Sequence, residues 1–126
     1  PAGPPPLDDA ALALEQRLRA AGHEPPSEAE LGEEAAASLR ALQAAGRAVR
    51  IGRSMHAHPE AIADVRQVVE RIAGAEGQVT LARLRDELGT SRKYAQALLE
   101  HLDAARVTRR RPDDSRVLRG SGSPAR

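Results

Sequence analysis

Ser91, Arg92 and Lys93 open a helical pattern in which Ala95, Leu98, Leu99 and Leu102 recur on one side. On that spacing the apolar stripe is the buried face, and Arg92, Lys93 and Gln96 fall outside it in the first turn and a half. Glu100 and Asp103 fall at the far end of the exposed surface. This order of charges selects a mode of contact. A polyanion laid along the whole helix would meet those acids. One approaching the helix start meets unpaired backbone N–H groups, the positive end of the helix dipole, and Ser91, Arg92 and Lys93. The plainer alternative is that Arg92 and Lys93 are solvated surface and that Tyr94 is partly buried packing.

A second cationic group follows. Arg109, Arg110 and Arg111 precede Pro112-Asp113-Asp114-Ser115, a run with good reverse-turn chemistry, and Arg116 and Arg119 follow it. Arginines crowded on one hairpin repel one another unless an anion is expected. Alternation along a strand puts Arg109 and Arg111 on one face and Arg110 on the other, so they do not all reach one ligand.

The elements that must position these residues come as two copies of one pattern. Residues 1–6 read as a Pro-rich linker, which suggests a piece of a longer protein or its tail. From Leu7 a helix carries Leu12, Leu14 and Leu18 and stops at Gly22. Ser27 with Glu30 is a capping-box signature for a short helix ending near Leu31-Gly32. A longer helix is expected from about Glu33 to Ala45, then a hairpin over 48–58 turning at Gly52-Arg53-Ser54. The pattern then begins again. Ile62, Val65, Val69 and Ile72 mark a helix, Val79 a short extended stretch, and Thr80 the cap of a helix running to Leu88. Gly89 turns the chain, and Thr90 or Ser91 caps the third helix. The hairpin over 106–119 closes the second copy. Leu31-Gly32 corresponds to Leu88-Gly89, and residues 42–50 to 102–110.

Helix, short helix, turn, helix, hairpin is the winged-helix form of the helix-turn-helix. The expected fold is therefore mainly α with small β-hairpins (α+β), as two tandem winged-helix (helix-turn-helix) domains. The expected boundaries are a linker over 1–6, domains over 7–58 and 59–119, and a flexible tail over 120–126.

Composition narrows the chemistry. The 126 residues contain no cysteine, which excludes disulfides and thiolate zinc sites. The apolar runs are broken by charges every few residues, so no span of a bilayer is expected, and the N-terminus lacks the basic start and apolar core of a signal peptide. A soluble, cytoplasmic chain is expected. Tyr94 is the sole aromatic among Phe, Trp and Tyr, so base stacking on several rings is excluded. The formal net charge is only +1, but residues 89–119 hold 8 basic against 4 acidic side chains, whereas residues 1–58 hold 6 against 8. The positive end is the C-terminal one.

Other constellations are weaker. His56-x-His58 would set two imidazoles on one face of a strand, but no third metal ligand is evident. Asp113-Asp114 suits a turn better than an acid/base pair. No phosphate-binding GxxxxGK[ST] and no Ser-His-Asp spacing occurs. No cofactor, metal or catalytic residue is expected.

Residues 85–118, RDELGTSRKYAQALLEHLDAARVTRRRPDDSRVL, resemble the last winged-helix domain of bacterial selenocysteine-specific elongation factors. The ordered run GTSRKYA, LLE-x-LD, TRR and RVL carries the resemblance. RAVRIGRSMHAHPEAI is similar to the join between that family's last two winged helices, while residues 7–46 are only compatible with it. The resemblance implies a translation function. Such factors are GTPases that deliver selenocysteinyl-tRNA to the ribosome at a recoded UGA codon, and their last domains bind the mRNA hairpin called the selenocysteine insertion element. It implies RNA contact by Arg85, Ser91, Arg92, Lys93, Arg109, Arg110 and Arg116, a monomer, and a spacer role for the first half. The Pro and acidic pair in the wing depart from the family pattern. Two other functions suit a winged helix: a DNA-binding transcriptional regulator, which would need a dimer interface and a helix face turned to the major groove, and a protein-interaction module.

Overall fold

The computed structural model of the chain describes residues 6–120. The expected linker, apart from Pro6, and the expected tail, apart from Gly120, lie outside the described residues. The chain splits into two compact units, Pro1–Ala63 and Asp64–Arg126.

The first unit begins with α1 (Asp9–Ala21). Asp8 starts it by accepting the Ala11 N–H at 2.8 Å, and Gly22, at φ 60°, ends it. The capping box is present: Ser27 Oγ accepts the Glu30 N–H at 3.1 Å and Glu30 accepts the Ser27 N–H at 2.8 Å. It opens the single turn of α2 (Glu28–Leu31). The expected long helix is divided into a 3-10 turn (Glu33–Ala35) and α3 (Ala36–Ala44). Neither has a side-chain cap, because Gly32 and alanines stand where a Ser or Asp would be needed. Strands β1 (Val49–Ile51) and β2 (Met55–Ala57) pair antiparallel, with Arg50 opposite His56. Leu14, Leu18, Leu31, Leu39 and Leu42 pack with Ala11 and Ala48 into an aliphatic core.

One charge enters that unit's interior. Glu15 is 2% exposed and accepts from Arg47 at 2.6 Å, while His58 Nε2 lies 3.0 Å away. The His58 bond, then the guanidiniums of Arg47 and Arg19, hold its carboxyl below the ordinary carboxylate value against the opposing effect of burial.

Helix α4 (Pro59–Glu76) crosses the division between the units. In the second unit α5 (Leu81–Leu88) is capped by Thr80, whose Oγ1 accepts the Arg83 N–H at 3.0 Å. Gly89 takes the left-handed conformation (φ 65°, ψ 37°) that a helix-ending glycine supplies without strain, and α6 (Arg92–Ala104) follows. Ala95, Leu98, Leu99 and Leu102 of α6 are all buried, as the periodicity requires. Strands β3 (Thr108–Arg110) and β4 (Arg116–Leu118) form the hairpin. Val79 adds a one-residue third strand through reciprocal bonds to Arg116 of 2.9 and 2.8 Å. The architecture is thus mostly helical with two small antiparallel hairpins. No helix among the described residues is long and apolar enough to cross a membrane.

Candidate nucleic-acid interface

The start of α6 is chemically unlike the start of α5. Ser91 occupies the N-cap position with extended backbone (φ −94°, ψ 164°), but its side chain makes no cap hydrogen bond. The sequence reading gave Ser91 or Thr90 that capping role; the Ser91 hydroxyl does not fill it. The first-turn N–H groups therefore have no help from the Ser91 side chain, at the positive end of a 13-residue helix. Ser91, Arg92 and Lys93 are all exposed. Lys93 Nζ lies 5.1 Å from the centroid of the half-buried Tyr94 ring, which holds the ammonium near the helix start.

Beside that helix end runs a groove of about 240 Å³ lined by Thr80, Arg92, Gln96, Arg110, Asp114 and Arg116, among others. It lies between α6 and the β3–β4 hairpin, so Arg92 and Arg110, 18 positions apart in sequence, line one concavity. Gln96 donates to Glu100 at 3.1 Å along its wall.

The hairpin arginines divide by strand alternation. Thr108, Arg110 and, across the register, Arg116 share one face; Arg109, opposite Val117, is on the other. Arg109 is exposed and makes no ion pair among the described residues. Arg110 is also exposed but is held by Asp114 at 2.9 Å. Arg116, expected as an RNA contact, has different surroundings. It is 2% exposed, with Nε and Nη2 on Asp103 Oδ2 at 3.2 and 3.1 Å and Nη1 donating to the Asp114 carbonyl at 2.9 Å. With three of its five N–H donors engaged and its side chain buried, this guanidinium fastens the hairpin to α6. The expectation for Asp103 is corrected. Expected on the exposed surface, it turns inward and also accepts from Thr108 Oγ1 at 2.6 Å.

Arg85 lies on α5, half-buried and paired with the adjacent Asp86 at 3.0 Å, away from the groove lining. The acidic turn satisfies itself. Asp113 accepts the Ser115 hydroxyl and N–H at 2.6 and 3.0 Å, which lowers its pKa from the usual carboxylate value, and Asp114 sits in the left-handed region at φ 72°. The sequence reading missed the masking of Arg110 by Asp114. The i,i+4 spacing of an acid and an arginine across a tight turn was the available signal.

The two histidines of the His-x-His pattern face separate carboxylates, His58 meeting Glu15 at 3.0 Å and His56 standing 3.5 Å from Glu28.

The family of winged helices described from elongation factor SelB matches residues 71–118. The mRNA-binding domain of elongation factor SelB from E. coli, solved in complex with SECIS RNA, superposes with a TM-score of 0.73 at 25% identity. That superposition covers 89% of this chain and 98% of that one. A bacterial selenocysteine-specific elongation factor, EF-Sec, superposes with a TM-score of 0.74 at 21% identity over 88% of this chain, which spans only 18% of that protein. No curated protein matches by sequence.

Proposed function

Since residues 71–118 match the family of winged helices described from elongation factor SelB, we propose that the chain belongs to that family, binds a selenocysteine insertion hairpin in mRNA and tethers a selenocysteine-specific elongation factor to it. The observation that carries this reading is the start of α6, where the positive end of a 13-residue helix stands beside exposed Ser91, Arg92 and Lys93. Loop phosphates seat on this helix end and on Arg109, and on Arg110 once it leaves Asp114. The deep groove of an A-form stem offers side chains little base information, so specificity comes from splayed loop bases. Recognition here involves no catalysis and no cofactor. GTP hydrolysis belongs to a part of the parent factor outside this chain, which acts on the ribosome in the cytoplasm as a monomer.

The site residues in this reading are Ser91, Arg92, Lys93, Arg109 and Arg110. Arg116 positions the hairpin, and Arg85 is a peripheral charge. Both halves are winged helices, 7–58 serving as support and 59–119 as reader. The first half repeats the helix order and the hairpin of the second, and a bridge from Ser27 to Met55 stands where Val79 meets Arg116 in the second.

The test is binding of the chain to a selenocysteine insertion hairpin, a loop-scrambled hairpin and a DNA duplex at two salt concentrations. Loop-dependent binding supports the reading. With ~4 phosphates neutralised, the log–log salt slope is about −3. Preference for duplex DNA would favour a DNA-binding regulator, and no nucleic-acid binding would favour a protein-interaction module.

A further inference from the structure

The first unit carries a concavity that RNA recognition leaves unused. It is a groove of about 600 Å³ bordered by α2, the Glu33–Ala35 turn, α3 and the β1–β2 hairpin. Ala36 and Leu39 give it an apolar wall, and Glu28, Glu33 and His56 are part of its polar lining. His56 is 4% exposed, and its Nδ1 has no hydrogen-bond partner. Buried polar atoms are nearly always satisfied, so an orphan marks a place where a partner belongs. The Glu28 carboxylate stands 3.5 Å from that nitrogen without bonding to it. Glu28 is itself 48% exposed, so it links the buried atom to the open groove.

Burial holds the His56 imidazole below its ordinary pKa, more than Glu28 raises it, so the ring is uncharged at neutral pH. In the tautomer with its hydrogen on Nε2, Nδ1 and the Glu28 carboxylate are two acceptors converging on one point. A group with several N–H donors and a positive charge satisfies both. The surroundings carry the same sign. Residues 24–39 contain five glutamates and no basic side chain. Gly32, at φ 90°, leaves room for the Glu34 carboxylate, which a Cβ there would meet at 2.8 Å. Of the two lining arginines, Arg50 is turned toward its own hairpin, donating to the Arg53 carbonyl. Arg40 is the other basic side chain of the lining.

We propose that this groove is a docking site for the arginine side chain of a basic segment in a partner protein. A guanidinium fits better than an ammonium. Its planar fork takes the half-exposed Glu28 carboxylate that stands 3.5 Å from the imidazole nitrogen, while its methylene stem lies on Ala36 and Leu39. A nucleic-acid phosphate fits less well, because it would face Glu28 and Glu33. The site is independent of the RNA surface on the second unit.

The test is a titration of the full chain, followed by 1H–15N spectra, with the capped tripeptide acetyl-Ala-Arg-Ala-amide. Its controls are the same peptide with neutral citrulline for arginine and one with aspartate. The expected result is perturbation of Gly32, Ala36 and His56 by the arginine peptide alone. Glu28→Gln, a half-exposed position that leaves the core untouched, weakens that binding about tenfold. Arg92→Ala/Lys93→Ala leaves it unchanged. Equal binding of the citrulline peptide, binding of the aspartate peptide at these residues, an unaffected Glu28→Gln, or no perturbation at ~10 mM arginine peptide would each overturn the proposal.

Discussion

Replacing Asp103 with alanine leaves the Arg116 guanidinium buried without its carboxylate and the Thr108 hydroxyl without its acceptor. Removing one partner of a buried ion pair costs about 3–5 kcal/mol, because the survivor stays out of water unpaired. Asp103 keeps 22% of its side chain exposed, so solvent reaches part of the pair and the lower end applies, about 3 kcal/mol. Losing the Thr108 bond adds about 1 kcal/mol. Domains hold roughly 0.05–0.15 kcal/mol per residue, or about 3–9 kcal/mol for a unit of this size, so the substitution removes much of its stability. Tyr94 provides the assay. As the sole aromatic of the chain, placed on α6, its fluorescence during urea unfolding reports on the second unit. At a slope of about 1 kcal/mol per molar, the midpoint falls by about 4 M, or the unit is already unfolded in buffer. Asp103→Leu with Arg116→Met replaces both charges by apolar volume and costs about 1 kcal/mol or less. A single substitution costing under about 1 kcal/mol, or a pair costing as much as the single, would refute the assignment of Arg116 as the buried anchor of the hairpin.

Asp114→Asn frees Arg110 from its ion pair at a left-handed position that asparagine tolerates, so hairpin affinity rises several-fold in a fluorescence-anisotropy titration while stability stays unchanged. Arg92→Ala/Lys93→Ala lowers RNA affinity and makes the salt slope about 1.4 less steep, two phosphate contacts being lost, as measured from 50 to 200 mM salt. Glu15→Gln weakens the contacts to Arg47 and His58 and destabilises the first unit by about 2–3 kcal/mol in calorimetry. Burial lowers the pKa values of His56 and His101, so their contribution to stability is complete above the ordinary histidine value of 6.5 and is lost as pH falls through the lowered ones. Glu15, also lowered, contributes fully above the ordinary carboxylate value of 4.5 and loses its effect as pH falls through its own depressed value. A urea midpoint that stays constant from pH 7 to pH 5 would contradict the histidine part.

What the sequence made legible was local. The Ser27–Glu30 capping box, the Thr80 cap, the Gly89 turn and the buried stripe of α6 follow from neighbours within four residues, and each stands where its spacing placed it. Both hairpins were readable from their turn residues. The division of the third helix of the first unit was not, because an alanine-rich run gives no start signal and the break at Glu33–Ala35 follows the backbone imposed by Gly32. The site was legible in part. Arg92 and Lys93 were visible as charges outside an apolar stripe. Arg116 looked the same as Arg109 in an arginine-rich run, yet their surroundings differ in kind. The strand register and the Val79 bridge carry Arg116 inward to Asp103, which is 13 positions away, and no one-dimensional pattern encodes that meeting.

The central claim is that the start of α6 reads an RNA loop. Its most direct measurement is the affinity for a selenocysteine insertion hairpin and for its loop-scrambled version, compared among the unaltered chain, Arg92→Ala/Lys93→Ala, and Arg40→Ala/Arg50→Ala in the first unit. The account predicts loop-dependent binding that the α6 pair abolishes and the first-unit pair leaves intact. Equal binding to both hairpins, or equal losses from the two pairs of substitutions, would contradict it and reduce the α6 cations to a general basic surface.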